Sequence, residues 1–250
     1  MRIRTQDRYE LKYILTRLQT EQMVQELADY VEPDPYGGAG GRYQVTSLYY
    51  DTPDYRAYWE KIDGHRFRRK VRVRVYGLQV VTPDTPCFVE IKQRTNKTLQ
   101  KRRVIMPYSA ADALCRTGRS MHEAAGDDRA VIEEVLYLRN TLRLQPACVV
   151  TYDRLALNGR QYDPGLRVTF DTNLQCRVHD LSLLSQSYAE NRYFVSPGWC
   201  VMEVKVNQRV PYWLTEVINR YRCTLRRVSK YCLALEQSKV MLQRQQIKFR

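Results

Sequence analysis

The alternation of residue types between Arg66 and Tyr76 constrains the fold of this chain more than any other sequence feature. From Lys70 to Val75, basic residues alternate strictly with valines. A two-residue period places successive side chains on opposite faces of a β-strand. The segment therefore predicts a strand with one cationic face and one aliphatic face, and the fold depends on which face the rest of the protein covers.

The charge balance indicates a polyanionic partner. The 250 residues include 41 Lys and Arg against 27 Asp and Glu, which gives a formal net charge of +14. Such an excess is typical of proteins that bind nucleic acid, anionic lipid, nucleotides or phosphate polymers. The charge alone does not distinguish among these ligands.

Cysteine and histidine spacing argues against a zinc protein. The seven cysteines include no CxxC pair, and the three histidines show no HExxH spacing. We expect free thiols in a reducing compartment. The N-terminal segment has no apolar core, and the chain has no apolar run of membrane-spanning length, so a cytoplasmic protein without a transmembrane segment is expected.

Hydrophobic patterns along the chain predict about eight strands, many of which follow one another without an intervening helix. This arrangement favours an antiparallel sheet, and closure into a barrel would remove its edges. The expected fold class is α+β: an eight-stranded antiparallel barrel, flanked by helices, in a single domain over residues 1–250. Strands are predicted near 8–15, 43–50, 66–76, 87–94, 99–106, 147–155, 166–171 and 199–207. Helices are predicted at 20–30 with Thr20 as N-cap, from Pro53, at 110–116, 128–144 and 211–222, and from 229 onward.

A repeated motif gives several of these strands the same chemistry. Glu-x-Lys occurs at Glu10-Leu-Lys12, Glu90-Ile-Lys92 and Glu203-Val-Lys205. In a strand this spacing sets an acid and a base on one face, with an apolar residue on the other. Similar spacing occurs in Lys101-x-Arg103, Tyr152-x-Arg154 and Arg167-x-Thr169-x-Asp171.

Two interpretations of this charged face are available. It could be a solvated exterior with weak cross-strand ion pairs. Alternatively, the valines turn outward beneath helices and the charges face a barrel lumen, which suits a protein in which many strands carry such a face. Uncompensated cations in a dry lumen would each cost several kcal/mol, but a wet tunnel holding a phosphate chain would compensate them. We therefore predict a phosphate-chain site with Arg72 and Arg74 facing inward and Val71, Val73 and Val75 outward.

The motifs also resemble a known family. Taken in order, they are similar to the VTC domain, the polyphosphate polymerase domain of the vacuolar transporter chaperone complex and its stand-alone bacterial relatives, within the CYTH-like triphosphate tunnel enzymes. The similarity extends from about Arg8 to Tyr231, and its specificity lies in the series rather than in any single motif. The segments are RYELKY, SLYYDTPDY, RKVRVRVY, FVEIKQR, KRR, VTYDR, LRVTFD, MEVK and SKY.

This resemblance implies an activity and a set of site residues. The implied fold is an eight-stranded tunnel, closed by a C-terminal helix, that transfers the γ-phosphoryl group of ATP to a growing polyphosphate chain and releases ADP. ATP and inorganic polyphosphate are the implied partners, and no specific nucleic acid is expected. The catalytic residues are expected to be Arg72, Arg74, Arg154, Arg167 and Lys230. Substrate contacts are expected from Lys12, Lys70, Lys92, Lys101, Arg103, Tyr152, Lys205 and Ser229.

The resemblance also implies a divalent metal, typically manganese, with magnesium as the other option. Glu203 matches the family's metal-binding carboxylate, and Glu10 and Glu90 are further candidates. Hydrolytic and cyclase tunnel enzymes begin with ExExK, whereas Arg8 occupies the first acidic position here. A missing carboxylate weakens a site for activating water, which favours the polymerase over a triphosphatase or nucleotide cyclase. A non-catalytic module that binds polyphosphate or nucleic acid is the remaining alternative.

Three polar residues have simpler structural interpretations. Asp51 and Thr52 precede Pro53 and predict a turn and a helix cap. Asp171 is expected to pair with Arg167 on its own strand rather than to hold a metal.

Overall fold

A computed structural model of the chain describes residues 8–77, 80–96, 98–120, 124–185, 191–207, 209–238 and 240–241. Its strands are β1 (Arg8–Thr16), β2 (Val31–Pro33), β3 (Arg42–Asp51), β4 (Phe67–Tyr76), β5 (Pro86–Thr95), β6 (Thr98–Pro107), β7 (Gln145–Gly159), β8 (Arg167–Arg177), β9 (Arg192–Tyr193) and β10 (Trp199–Asn207). Its α-helices are α1 (Arg17–Leu27), α2 (Arg56–Ile62), α3 (Tyr108–Asp112), α4 (Gly126–Leu142), α5 (Tyr212–Arg220) and α6 (Lys230–Gln237).

Eight of the strands form one continuous antiparallel sheet in the order β1-β10-β8-β7-β3-β4-β5-β6, and the short strands β2 and β9 pair with β7 and β8. The sheet is strongly curled into a half-barrel. Lys92 on β5 lies 3.5 Å from Glu10 on β1, although six strand steps would separate these strands by about 29 Å in a flat sheet. The predicted α+β class and eight-stranded antiparallel architecture are therefore confirmed. In the described part of the chain, no backbone pairing joins the edge strands β1 and β6.

The outer face of the sheet forms the hydrophobic core with the helices. Val71, Val73 and Val75 are buried in one cluster with Val135 and Leu138 of α4. A second cluster packs β1, β8 and β10 against α1 and α5. The prediction that the valines of β4 lie under covering helices is therefore confirmed.

Helix α6 occupies a different position from the other helices, because it packs on residues of the inner face. Tyr231 and Leu235 of α6 share a buried cluster with Tyr49 of β3 and Tyr152 of β7. The Tyr49 and Tyr231 rings lie 5.1 Å apart. The last helix thus covers part of the lumen, as expected from the family resemblance.

The predicted start of the first helix was wrong. Helix α1 begins at Arg17 with Thr16, not Thr20, as N-cap. The Thr16 Oγ1 accepts from the Gln19 amide at 3.2 Å, and the Gln19 Oε1 accepts from the Thr16 amide at 2.8 Å, which forms a capping box. Thr20 instead donates its hydroxyl to the Thr16 carbonyl at 2.8 Å.

Helix α2 begins at Arg56, three residues after the predicted start at Pro53. Asp51 and Thr52 supply the cap, as predicted. The Asp51 carboxylate accepts from the amides of Thr52 and Ala57 at 2.7 and 2.9 Å, and the Thr52 hydroxyl accepts from the Arg56 amide at 2.8 Å. Because these side chains satisfy the free amides of the first turn, the helix starts beyond the proline.

The expectation of free thiols is confirmed, since all seven cysteines are unpaired and six of them are buried. Among the described helices, none has both the length and the apolar character that a membrane crossing requires.

The packing of β4 predicts that truncating one of its valines lowers the free energy of unfolding more than truncating an exposed valine. Val73→Ala should lower the free energy of unfolding by about 2 kcal/mol, because it removes fully buried methyl groups and leaves a cavity. Val80→Ala is the matched control, since Val80 is 56% exposed. Urea unfolding measures both variants, and equal effects would contradict the assignment of the valine face to the core.

Candidate functional site

The inner face of the curled sheet carries the predicted charges. The register places Arg72 opposite Tyr49 and Glu90, and Glu90 opposite Arg103, and directly paired residues share one face of a sheet. The cations of this face, together with α6, are Lys12, Lys70, Arg72, Arg74, Lys92, Lys101, Arg103, Arg154, Arg167, Lys205 and Lys230. The carboxylates among them are Glu10, Glu90, Asp171 and Glu203. Cations clearly outnumber carboxylates, so the lumen carries a positive charge.

Arg74 is the most informative of these cations. Its side chain is buried, with 6% of the residue exposed. The Nε donates to Ser47 Oγ at 2.9 Å, and Nη2 lies 3.4 Å from the Tyr152 hydroxyl. Among the described residues, no carboxylate lies within ion-pair distance of it. A buried guanidinium with only neutral partners is costly, and an anion in the lumen would remove that cost.

Glu90, on β5, forms ion pairs with cations of both neighbouring strands, β4 and β6. Arg72 Nε and Nη2 lie 2.7 and 2.6 Å from Glu90 Oε2, Lys101 pairs with the other carboxylate oxygen, and Arg72 Nη1 donates to the Tyr49 hydroxyl at 3.0 Å. Burial raises the pKa of Glu90, but Arg72, Arg74 and Lys101 outweigh it and lower the pKa to about 2. Glu90 therefore stays ionised and orients Arg72 and Lys101.

The Glu-x-Lys motifs of β1 and β10 lie side by side. Lys12 Nζ is 2.8 Å from Glu10 and 3.8 Å from Glu203, and Lys205 is 2.7 Å from Glu203. Burial raises the pKa of both carboxyl groups, but the surrounding lysines lower that of Glu10 to about 2 and that of Glu203 well below its usual range. Both groups are anions that hold lysines in place.

Lys92 titrates near neutral pH. Burial lowers the pKa of Lys92, the negative charge of Glu10 raises it, and the positive charge of Lys12 lowers it further. The resulting pKa is about 7. Glu10, at 3.5 Å, is its ion-pair partner. The charge of Lys92 therefore depends on pH and on whatever anion enters the lumen.

On the opposite wall, Asp171 binds two cations. Arg154 Nε and Nη2 donate to its two oxygens at 2.6 and 2.8 Å, and Lys230 Nζ of α6 lies 2.6 Å away. Lys230 also sits 4.9 Å from the centre of the Tyr152 ring. Burial raises the pKa of Asp171, but Arg154 and Lys230 reverse this and keep it lowered. This group ties the last helix to the tunnel wall.

The predicted pairing of Asp171 with Arg167 was wrong. Arg167 pairs with Asp34, in the loop after β2, and donates to the Tyr43 hydroxyl at 3.1 Å. Arg167 and Asp171 share a face of β8 but lie four residues apart, whereas Asp171 lies directly opposite Arg154 on β7, and the cross-strand neighbour is closer.

Two further contacts hold α6 over the lumen. Lys70 Nζ lies 3.4 Å from Ser229 Oγ and 4.8 Å from the Tyr231 ring centre. The Tyr231 hydroxyl donates to the carboxylate of Asp51, which also caps α2. The predicted contacts Lys70 and Ser229 thus lie together, whereas Asp51 and Tyr231 support the site although the sequence suggested no such role. No local sequence pattern could have joined these two, because 180 positions separate them.

Lys101 and Arg103 both face the lumen, but with different partners. Lys101 pairs with Glu90, whereas the Arg103 guanidinium lies 4.8 Å from the Phe88 ring centre. Ser47, Tyr49, Tyr43 and Asp34 are polar residues that contact the tunnel arginines and that the sequence did not reveal. Their partners lie on other strands or loops, so strand register was needed to find them.

The donor set fits a divalent metal only in part. Among the described residues, no group of three or more His, Cys, Asp or Glu side chains could hold a metal ion. Glu10 and Glu203 approach each other through Lys12, whereas Glu90 is engaged by Arg72 and Lys101. Mg²⁺ and similar ions are usually bound by one or two carboxylates together with oxygens of the substrate phosphates. Glu10 and Glu203 would supply the two carboxylates. The residues therefore fit a metal that arrives with a phosphate ligand.

The fold is that of tunnel proteins. The structure resembles bh2851 from Bacillus halodurans, a candidate adenylate cyclase, with a TM-score of 0.50 and 11% identity over 89% of this chain and 95% of that one. It also resembles HpAC1 from Hippeastrum, an adenylyl cyclase candidate with a dominant triphosphatase activity, with a TM-score of 0.53 and 11% identity over 92% of this chain and 96% of that one.

Comparison of the sequence with protein-family models identifies the family. Residues 7–239 match the VTC domain, and the chain belongs to the VTC domain family. A comparison with curated protein sequences finds no significant match. Family and fold together support an enzyme of the triphosphate tunnel class that handles phosphoryl groups.

Truncation of Arg74 should weaken ligand binding, whereas truncation of Arg154 should lower the stability of the fold. Arg74→Ala should weaken binding of inorganic tripolyphosphate by about 10- to 150-fold, because it removes charge-assisted hydrogen bonds, without lowering stability. Arg154→Ala should cost about 3 kcal/mol of stability, because it takes a buried partner from Asp171. Calorimetric titration and urea unfolding measure these effects, with Arg129→Ala as control, because the Arg129 side chain is exposed on the surface of α4. An unfolded Arg74→Ala protein would instead indicate a structural role for this face.

The lowered pKa of Lys92 predicts that anion binding is linked to protonation of its amine. An anion stabilises the protonated amine, so affinity for tripolyphosphate should fall as pH rises through about 7, and binding near pH 7.5 should take up a proton. Titrations in buffers of different ionisation enthalpy measure this uptake. Lys92→Met should abolish it, whereas Lys205→Met should weaken binding but retain it. Uptake that persists in Lys92→Met would assign the titration to another group.

Proposed function

We propose that this protein is a polyphosphate polymerase, which transfers the γ-phosphoryl group of ATP to the end of an inorganic polyphosphate chain and releases ADP. The observation that carries the proposal is the lumen itself, in which buried Arg74 has only hydroxyl partners among the described residues, and in which cations from seven of the eight main strands and from α6 exceed the carboxylates. Membership of the VTC domain family supports the same substrate class.

The electrostatics of the lumen favour transfer to a phosphate over hydrolysis. A water nucleophile needs a base to accept its proton, and an effective base has a pKa near the working pH. The pKa values of Glu10 and Glu90 are about 2, and those of Asp171 and Glu203 are also lowered, so these carboxylates are poor bases. The terminal oxygen of a polyphosphate chain is already ionised and needs no base. A tunnel that aligns two anionic groups therefore suits phosphate as acceptor.

Positioning and charge neutralisation would supply most of the catalysis, as is general for phosphoryl transfer. Arg72, held by Glu90, and Arg74 lie on β4, and Arg154 lies on β7, where both Arg74 and Arg154 approach the Tyr152 hydroxyl at 3.4 Å. Lys230 and Ser229 approach from α6, and Arg167 lies beyond them on β8. In this proposal the arginines bind the equatorial oxygens of the transferred group as its charge develops. Their fixed partners keep them oriented before substrate arrives.

The lysines of the lumen would hold the two substrates in line. Lys12, Lys92 and Lys205 surround the carboxylates of β1 and β10, and Lys70 and Lys101 flank Arg72. A manganese or magnesium ion bound with the substrate at Glu203 and Glu10 would neutralise part of the triphosphate charge. Tyr152 contacts both Arg74 and Lys230.

A tunnel triphosphatase is the second candidate, because a protein with this fold, HpAC1, has a dominant triphosphatase activity. The same cation set would bind the substrate, and only the acceptor would differ. Identification of the product therefore decides between the two activities.

The decisive assay is incubation of purified protein with ATP and Mn²⁺. The expected products are phosphate chains, resolved on a gel, and an equivalent amount of ADP. Arg74→Ala should remain folded and form neither product, whereas Arg129→Ala should retain full activity. Orthophosphate as the sole phosphate product would overturn the polymerase in favour of the triphosphatase. Unchanged ATP with tight polyphosphate binding would indicate a non-catalytic module.

A further inference from the structure

The two ends of the tunnel differ in chemistry. At the end of β4 that lies away from α6, the inner face presents aromatic rings beside its cations, with the Arg74 guanidinium 5.8 Å from the centre of the Tyr76 ring and the Arg103 guanidinium 4.8 Å from the centre of the Phe88 ring. Tyr76 follows Arg74 on this face, Phe88 lies opposite Arg74 on β5, and Tyr43 lies opposite Arg154 on β7. The Tyr43 and Tyr76 ring centres are 5.7 Å apart, and those of Tyr76 and Phe88 are 5.4 Å apart. These three residues, the aromatic tier, form a continuous set of rings.

The rings of the aromatic tier are only partly buried, so they offer surface to a ligand in the lumen. Phosphate oxygens gain nothing from an aromatic face, so the exposed part of these rings suits a ligand group other than phosphate. Arg74 directly adjoins the tier, and Arg167 binds the Tyr43 hydroxyl at 3.1 Å. A ligand that fills both regions has a planar apolar group attached to phosphates.

The opposite end is cationic. Arg68 and Arg94 lie directly opposite each other, one step beyond the pair Lys70 and Lys92. Like charges in this arrangement repel, and burial and Arg94 lower the pKa of Arg68. This end suits the continuing phosphate chain and not a base.

We infer that Tyr43, Tyr76 and Phe88 form a stacking subsite for the nucleobase of a nucleoside triphosphate. The substrate then lies with its base at the aromatic tier and its phosphates directed past Arg74 toward Lys70 and α6. The inference rests on the proposed function, because it presumes a nucleotide substrate. Arg74 and Arg167 already engage the two tyrosine hydroxyls and Phe88 has none, so the tier stacks bases without distinguishing them, and ATP and GTP should bind with similar affinity.

The test compares ATP with ribose 5-triphosphate, which lacks only the base, by calorimetry in EDTA to prevent turnover. Wild type should bind ATP about 5- to 150-fold more tightly than ribose 5-triphosphate, because stacking of one base on an aromatic ring contributes about this much to affinity. Phe88→Leu should remove most of this difference and leave the affinity for ribose 5-triphosphate unchanged, whereas Phe88→Trp should preserve it. Phe67→Leu is the control and should leave both affinities unchanged, because Phe67 also lies beneath an arginine, Arg69, but on the outer face of β4 with Val71.

The outcomes separate this inference from the proposed function. Equal affinities for the two ligands in wild type, with tripolyphosphate bound tightly, would overturn the base subsite and leave the phosphate tunnel intact. Equal losses for both ligands in Phe88→Leu would show that the ring acts by placing Arg103, which also overturns the subsite. Failure of wild type to bind any of the three ligands would overturn the proposed function. Should Phe88→Leu not fold, the wild-type comparison alone decides.

Discussion

The structure depends on holding more cations than carboxylates around one lumen. Removing a charge from water costs several kcal/mol unless a partner compensates it, and the fold supplies only part of that compensation. Glu90, Asp171, Glu10 and Glu203 each serve at least two basic side chains, whereas Arg74 relies on hydroxyls. A phosphate ligand would complete the electrostatic balance, and its binding would therefore also stabilise the folded protein.

The sparse carboxylates therefore act mainly as supports for cations. Each is ionised well below neutral pH because burial is outweighed by its neighbours, and each fixes the direction of an arginine or lysine. This leaves few groups able to move protons near neutrality, although Lys92, with a pKa of about 7, can do so. A site of this kind suits chemistry in which alignment and charge neutralisation matter more than proton transfer.

Strand periodicity made much of this arrangement predictable from the sequence. The alternation from Lys70 to Val75 and the recurring Glu-x-Lys motifs correctly placed the valines under helices and the charges inside. Partner choice could not be predicted, because it depends on register between strands distant in sequence: Asp171 binds Arg154 and Arg167 binds Asp34. Helix starts were displaced for a local reason, since capping by Thr16 and Asp51 competes with the more obvious signals at Thr20 and Pro53.

The tunnel is built from both ends of the sheet and from the last helix. Lys12, on the first strand, donates to the backbone carbonyl of Val228 at 3.3 Å across 216 positions of sequence, and Lys230 completes the opposite wall. Closing a loop of this length costs conformational entropy. The ring of cations is complete only when β1 and α6 have come together, so the ring is a property of the folded chain and not of any single segment.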